Sequence, residues 1–156
     1  MKNVFLMIAI TSIFAFSACA QTKDGVPDKV SSAFSKKFPD AKKIKWDKEN
    51  KMEWEAEFKI DGKEYSANFD LDGNWMETEY EIKKSEIPAA VKATLDADYM
   101  GYKIEEAGIS ESANGKVYEF ELKQGKKETE VVIDANGKVM KDKEQGENEE
   151  DEEDDD

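Results

Sequence analysis

The sequence has no histidine and no arginine, and these absences exclude several kinds of active site. A chain without histidine cannot form a Ser-His-Asp triad, a Cys-His pair or a His-x-x-x-His zinc site. A chain without arginine lacks the bidentate group for carboxylates and phosphates, which lysine replaces only as a point charge. Glycine-rich phosphate loops and the Gly-x-Ser-x-Gly motif are also absent. The sequence therefore predicts a protein that is not an enzyme and needs no cofactor.

The start of the chain has the pattern of an export signal. Lys2 supplies a basic start, and the apolar stretch Val4–Phe16 is interrupted only by Thr11 and Ser12. These 13 residues are too few to span a bilayer as a helix, which takes about 20. Residues 1–20 are therefore predicted to be a signal peptide. The mature protein is expected in the periplasm or cell envelope of a bacterium.

Cysteine is scarce, because Cys19 is the only one in the chain. The segment Ala18-Cys19-Ala20 fits a small-x-small cleavage site, whereas Phe16–Cys19 resembles a lipobox that would make Cys19 a lipidated N-terminus. Under the first interpretation Cys19 leaves with the leader. Under the second, its lipid is the protein's attachment to the membrane. Neither leaves a thiol for a disulfide or a nucleophile.

Acidic residues are concentrated at the end of the chain. Ten of the 37 acidic residues lie in residues 144–156. Residues 21–143 carry 22 lysines and 27 acids, so their net charge is −5, whereas that of the whole chain is −14. A segment so charged and without apolar residues cannot offset the entropy of ordering, which predicts a disordered acidic tail over 144–156. Phosphates would repel so acidic a chain, so no nucleic-acid partner is expected.

One pattern occurs twice, 61 residues apart, as Val26-Pro27-x-x-Val30-x-x-x-Phe34-x-x-x-Phe38 and Ile87-Pro88-x-x-Val91-x-x-x-Leu95-x-x-x-Tyr99. Proline suits the first turn of a helix, and apolar residues at every fourth position form one helical stripe. Pro39 is expected to end the first helix and Gly101 the second. A turn also recurs, 64 residues apart, as Asp70-Leu71-Asp72-Gly73-Asn74-Trp75 and Asp134-Ala135-Asn136-Gly137-Lys138-Val139.

Between helix and turn, apolar and polar residues alternate with period two, which predicts antiparallel strands with one buried face. The predicted fold class is α+β. Residues 24–83 and 84–141 are expected to be two tandem repeats, each one helix packed on a three- to four-stranded antiparallel sheet, with the sheets side by side. The last strand is predicted over 138–141. The residues expected on the buried face include Ile44, Met52, Trp54, Ala56, Phe58, Leu71, Met76, Tyr80, Tyr118, Phe120, Val131 and Ile133.

The opposite face is expected to be wet and to carry a mixed lattice of glutamate and lysine, whose opposite charges stabilise neighbouring strands. Val117, Val132 and Trp75 are the apolar exceptions assigned to that face, and an aromatic there can anchor a partner. For Trp75 the alternative is packing at the strand end. The candidate partner-binding residues are Trp75, Val117, Val132, Glu55, Glu57 and Lys45.

One pattern resembles a calcium loop. Asp70, Asp72, Asn74 and Glu81 fall at positions 1, 3, 5 and 12 of an EF-hand numbering. Trp75, however, occupies position 6, where such a loop needs glycine, and strands flank the segment. We interpret it as a hairpin turn and predict no metal site.

Several of these segments together resemble the PepSY-like, beta-lactamase-inhibitor-like family of exported bacterial proteins. They are the [Val/Ile]-Pro helix starts, Phe38-Pro39-Asp40-Ala41, the Tyr/Trp-rich hairpin and Asp-x-Asp-Gly-Asn-Trp. The likeness extends over Val26–Met140 in two copies, and the second copy departs from it at Met100-Gly101 and Lys138-Val139. The resemblance implies an α+β body whose sheets form a platform. In the inhibitor for which the family is named, that platform grips an enzyme.

Two functions are compatible with the sequence. The first is a noncatalytic, exported binding module of the cell envelope that recognises an unidentified envelope protein or peptide, with enzyme inhibition as one form of that binding. The alternative is an acidic cation-binding or solvating envelope protein whose C-terminal tail is the active part.

Overall fold

The computed structural model describes residues 25–145 of the 156-residue chain. The predicted signal peptide, Cys19 and the acidic tail from residue 146 onward lie outside the described residues, as does the cation-binding role considered for that tail. The elements, in chain order, are α1 (Asp28–Lys37), β1 (Lys42–Asp47), β2 (Glu53–Ile60), β3 (Lys63–Asp70), β4 (Trp75–Glu81), a 3-10 turn (Lys84–Glu86), α2 (Ala89–Asp98), β5 (Lys103–Ser112), β6 (Gly115–Gln124), β7 (Lys127–Asp134) and β8 (Val139–Gln145).

Both helices begin and end where the sequence predicts. Pro27 and Pro88 are the N-cap residues, each in an extended conformation that directs the chain into the helix. Val30 and Phe34 are the buried residues of α1. Pro39 follows the C-cap of α1, and Gly101, with a φ of +87°, follows the end of α2. Within the described range no helix is long and apolar enough to cross a membrane.

The eight strands form a single antiparallel sheet in the order β1-β2-β3-β4-β5-β6-β7-β8. The α+β class and the antiparallel strands are thus as predicted, but two separate sheets lying side by side are not found in residues 25–145. The reason is the direct pairing of β4 with β5, in which Glu77–Glu81 lie opposite Gly108–Ser112. This ladder joins β1–β4 and β5–β8 edge to edge.

Both helices cover the same side of this sheet. The register places Phe58, Tyr65, Tyr80, Ile109, Tyr118 and Ile133 in one row across six strands on the helix side. The core nevertheless has two clusters, one under each helix. The first contains Val30, Phe34, Ala56, Phe58, Ala67 and Phe69, and the second contains Val91, Leu95, Ala107, Ile109, Tyr118, Phe120, Leu122, Val131 and Ile133.

Four residues expected on the buried face are instead exposed: Ile44 (39%), Met52 (63%), Leu71 (36%) and Met76 (39%). Met52 and Leu71 lie in loops just outside the strands. Ile44 and Met76 lie at β-bulges. One extra residue in a strand interrupts the alternation of buried and exposed side chains, so neighbouring residues point to the opposite face. The β1–β2 bulge falls between Lys42 and Lys45, and the β3–β4 bulge falls beside Phe69.

The last strand is longer than predicted. β8 continues to Gln145, so the first two residues of the expected tail belong to the strand. The extension pairs with Glu128–Glu130 of β7, which gives the backbone of these residues hydrogen-bonding partners.

Candidate functional site

The side of the sheet away from the helices, here called the open face, carries four glutamates near its middle. Glu55 lies on β2, Glu77 and Glu79 lie on β4, and Glu119 lies on β6. The strands between them present small or neutral residues on the same face: Ser66 and Asn68 on β3, and Gly108 and Ser110 on β5. We refer to Glu55, Glu77, Glu79 and Glu119 as the open-face glutamates.

Partial burial raises the pKa of every open-face glutamate. The pKa of Glu79 rises to about 8, first because its carboxylate loses solvent and then because Glu119 and Glu77 are close. Loss of solvent, followed by repulsion from nearby carboxylates, also raises the pKa of Glu55 and of Glu119 to about 7; the first such neighbour is Glu49 for Glu55 and Glu77 for Glu119. The pKa of Glu77 is also raised by burial, although the Ser110 hydroxyl donates a hydrogen bond to its Oε2 at 3.4 Å. The ionised form of these groups is therefore poorly solvated, and the protonated form is favoured more than for an exposed glutamate.

The sequence-predicted residues on β1, β2, β6 and β7 all lie on the open face: Glu55 is one of the open-face glutamates, and the others lie on either side of that group. At one end, the Lys45 ammonium and the Glu57 carboxylate form an ion pair of 3.7 Å across β1 and β2. At the other, Val132 is 6% exposed and lies between Glu119 and Lys141 in the register. Val117 is half-buried and lies opposite Ser110 and Asp134.

Trp75 does not lie on the open face, so that placement was wrong. The β3–β4 bulge sets it opposite the buried Phe69, on the helix side, where it packs against the first core cluster. Its indole N–H donates to Thr78 Oγ1 at 2.9 Å, and Lys37 Nζ lies 3.5 Å from the ring centroid. The alternative given by the sequence, packing at the strand end, describes its position.

Trp75 instead forms part of a groove on the helix side of the sheet, which we call the inter-helix groove. The groove has a volume of about 540 Å³ and lies over β3, β4 and β5, between the C-terminal end of α1 and the 3-10 turn. Its apolar and aromatic lining consists of Phe38, Tyr65, Trp75, Tyr80, Ile82 and Ile109.

Sequence reasoning missed this groove because it depends on contacts between both halves of the chain. The Tyr65 and Tyr80 rings, whose centroids are 5.1 Å apart, come from β3 and β4 of the first half, and Ile109 and Glu111 on β5 of the second half complete the lining. A signal was present, since Tyr80 is a large inward-facing residue on the last strand before the second helix. Each strand pattern by itself, however, predicted only burial under a helix.

The calcium-like segment is a hairpin turn, as interpreted from the sequence. Asp70 Oδ1 accepts hydrogen bonds from the backbone N–H groups of Asp72 and Asn74, both at 2.9 Å, and Oδ2 accepts from the Asn74 amide at 2.8 Å. These donors lower the pKa of Asp70. Asp134 accepts from the N–H groups of Asn136 and Lys138 in the corresponding turn. Across residues 25–145 no group of three or more acidic, histidine or cysteine side chains is arranged to hold a metal ion.

Comparison with known proteins agrees with this architecture. The model of the family described as "Putative beta-lactamase-inhibitor-like, PepSY-like" matches residues 18–64 and 55–141. The chain belongs to this family. The resemblance stated from the sequence is thereby confirmed. The two matched ranges overlap and do not coincide with the two halves of the sheet.

Solved structures of other proteins share the fold of this PepSY-like chain. A BLIP-like protein from Bacteroides fragilis is 24% identical, with a TM-score of 0.69 over 78% of this chain and 90% of that one. A DUF2874 family protein from Bacteroides ovatus is 17% identical, with a TM-score of 0.72 over 78% and 89%. A protein from Bacteroides eggerthii, named among "putative periplasmic proteins", is 19% identical, with a TM-score of 0.70 over 76% and 88%. No curated protein sequence matches the chain.

Proposed function

We propose that this PepSY-like protein is a noncatalytic binding module of the bacterial cell envelope that recognises a protein or peptide through its open face. The observation that carries the proposal is the open face itself. Within the described part of the chain no helix packs on that side of the eight strands, and all the helix contacts of the core lie on the other side. Support for a noncatalytic role comes from the sequence, which has neither histidine nor arginine.

The dimensions of the open face suit a protein interface. Eight strands about 4.8 Å apart and about eight residues long span roughly 34 Å by 26 Å. That area is close to the roughly 800 Å² that each partner contributes to a standard interface. Val117, which is half-buried, supplies apolar contact area, whereas Val132 is 6% exposed and adds little; the proposed polar contacts are Glu55, Glu57 and Lys45.

The open-face glutamates favour a partner with basic groups. A lysine or arginine from the partner would neutralise carboxylates that are now half-buried beside one another, which is the kind of complementarity that sets specificity at interfaces. If the partner is an enzyme, the same contact would cover part of its surface, as expected of an inhibitor-like protein.

We also propose that the protein is exported. The leader pattern of residues 1–20 supports this, and so does the periplasmic name of the B. eggerthii protein that shares the fold. The mass of the mature N-terminus tests it: a chain beginning at Gln21 indicates simple cleavage, and one beginning at a diacylated Cys19 indicates a lipoprotein.

We further propose that residues 24–83 and 84–141 are tandem copies of one unit. Each contains a helix followed by four strands, and each has an aspartate-capped turn before its last strand. In each, the glycine of that turn lies against the first turn of the helix, Gly73 beside Lys29 and Gly137 beside Ala90. Lys29 and Ala90 are equivalent positions of the repeated motif.

Photo-crosslinking in intact bacterial cells tests the binding function. A photoreactive residue replaces Val117 on the open face in one strain and Ser35, an exposed residue of α1, in the matched control. We expect an envelope protein to be crosslinked reproducibly from position 117 and not from position 35. Failure to recover any protein specifically from position 117 would exclude the open face as the binding surface.

A further inference from the structure

The inter-helix groove carries two lysines that no carboxylate neutralises. Lys37 Nζ lies 3.5 Å from the Trp75 ring centroid, and Lys63 Nζ lies 4.2 Å from the Tyr80 ring centroid. Neither ammonium forms an ion pair with a carboxylate of residues 25–142. Cation–π contacts at exposed sites are weak and do not replace a counter-ion.

The two carboxylates that line the groove are already engaged. Glu86 accepts a hydrogen bond from the Lys83 N–H at 2.8 Å. Glu111 accepts one from the Tyr80 hydroxyl at 3.2 Å and pairs with the Lys116 ammonium at 2.6 Å. The hydrogen bond from Lys116 chiefly lowers the pKa of Glu111, and Lys37, which forms no ion pair with it, adds to that lowering through its charge. With Glu111 paired to Lys116, the two charges of Lys37 and Lys63 exceed the single charge of Glu86, so the net charge of the groove is positive.

We propose that the inter-helix groove binds an extended acidic peptide segment of a partner protein. Carboxylates of the segment pair with Lys37 and Lys63, and its apolar side chains lie on the Trp75 and Tyr80 rings between them. The groove volume of about 540 Å³ is within the usual range of ligand sites. Charge complementarity supports the choice, because these two cations belong to a chain whose net charge is −14. At physiological salt the remaining acidic surface is screened beyond about 8 Å, so it does not prevent local binding of an anion.

Calorimetric titration of the full chain with synthetic peptides tests the proposal. The probes are a peptide of alternating Glu and Leu and a peptide of alternating Lys and Leu of the same length. We expect the Glu-Leu peptide to bind and to lose affinity as salt is added. Substitution Lys37→Gln or Lys63→Gln should weaken binding about threefold to tenfold, the effect of losing one partly exposed charge pair.

Matched controls separate the groove from general charge. Lys36→Gln and Lys126→Gln remove the same charge from exposed positions that do not line the groove, and they should leave the affinity unchanged. Circular dichroism checks that all four variants fold.

Three results would overturn the proposal. Equal weakening by Lys36→Gln would show nonspecific attraction, and tighter binding of the Lys-Leu peptide would assign the aromatic rings to a cationic occupant. Binding of the Glu-Leu peptide only to a chain that ends at Gln145 would assign the groove to the protein's own acidic residues 146–156. None of these results bears on the open face, because it lies on the opposite side of the sheet.

Discussion

Gly73 lies against the backbone of Lys29 so closely that a Cβ built on the glycine would be 2.7 Å from the Lys29 carbonyl oxygen. The same contact recurs between Gly137 and Ala90, also at 2.7 Å. Each contact holds the turn before the last strand of its half against the first turn of a helix. Both glycines have positive φ values, +83° and +88°, which residues with a side chain rarely adopt.

Substitution Gly73→Ala should therefore destabilise the protein for two reasons. The positive φ costs about 1 kcal/mol for a residue with a Cβ. The Cβ must also displace helix backbone, and overpacking of this kind costs about 1–3 kcal/mol more. We expect Gly73→Ala and Gly137→Ala each to lower the free energy of unfolding by about 2–4 kcal/mol, measured by urea denaturation.

Gly62→Ala is the matched control for this prediction. Gly62 has a φ of +86°, but no atom lies within 4 Å of the position of its Cβ. It should show the conformational cost alone, about 1 kcal/mol. If Gly62→Ala and Gly73→Ala proved equally destabilising, contact with the helix would not be what these turns require.

The two halves should unfold together although their cores are separate. Leu95 belongs to the second core cluster, whereas the three tryptophans, Trp46, Trp54 and Trp75, all belong to the first half. Leu95→Ala should cost about 2–5 kcal/mol. If the β4–β5 ladder couples the halves, tryptophan fluorescence and far-UV circular dichroism will show the same lowered melting temperature.

Phe34→Ala is the complementary variant, since Phe34 is buried in the first cluster and packs on Phe38, Trp46, Phe58 and Phe69. It should shift both signals as well. A fluorescence transition unchanged by Leu95→Ala would contradict coupling and would mean that each half melts on its own.

Local patterns in the sequence predicted the helices and most of the sheet. The four-residue spacing from Val30 and from Val91 determines which side of each helix is buried, and a helix needs no more than that stripe and its end signals. The period-two alternation was equally reliable along β2 and β6. In both cases neighbouring residues carry the whole signal.

Features that depend on pairing between strands were not predictable in this way. The bulge beside Phe69 turned Trp75 toward the helices, and nothing within β4 alone announces it. The fusion of the two sheets depends on β4–β5 register, and the inter-helix groove depends on that fusion. The sequence predicted the glutamate and lysine composition of the open face. The raised pKa values of Glu79 and Glu119 could not be predicted, because they arise from burial in the sheet and from carboxylates of β4 and β6 that β5 brings close together.

The aspartate-capped turns should give stability that depends on ionised carboxylates. Asp70→Ala removes the acceptor for three hydrogen bonds and should lower the melting temperature at neutral pH. Because folding lowers the pKa of Asp70 below 3.8, its contribution is present above that pH and is lost as pH falls through the folded-state value. The difference from the unmodified protein should therefore shrink in acid.

Asp40→Ala provides the comparison for this turn. Asp40 is an exposed carboxylate that makes no hydrogen bond or ion pair within the described range. It should leave the melting temperature unchanged at every pH, whereas Asp134→Ala should behave as Asp70→Ala does. An effect of Asp70→Ala that stays constant down to pH 3 would show that the carboxylate charge is not involved.

The open-face glutamates should have the opposite pH dependence. Folding raises the pKa of Glu79 from 4.5 to about 8, so the folded state binds its proton more tightly than the unfolded state. The stabilisation is then fully present below pH 4.5 and is lost as pH rises toward 8. Glu79→Gln keeps the shape of the side chain without the charge. We expect this variant to match the unmodified protein near pH 4.5 and to exceed its stability by about 1–3 kcal/mol at pH 8, after allowance for solvent screening.

Glu81→Gln, on the same strand and the same face but exposed, is the control and should show no such gain. Chemical denaturation of the three proteins between pH 4.5 and pH 8.5 measures the difference. A gain from Glu79→Gln that was the same at all pH values would reflect packing and not ionisation. A gain that grows with pH would mean that ionised Glu79 lowers the stability of the unliganded protein. A basic partner residue placed beside that carboxylate would remove this cost on binding.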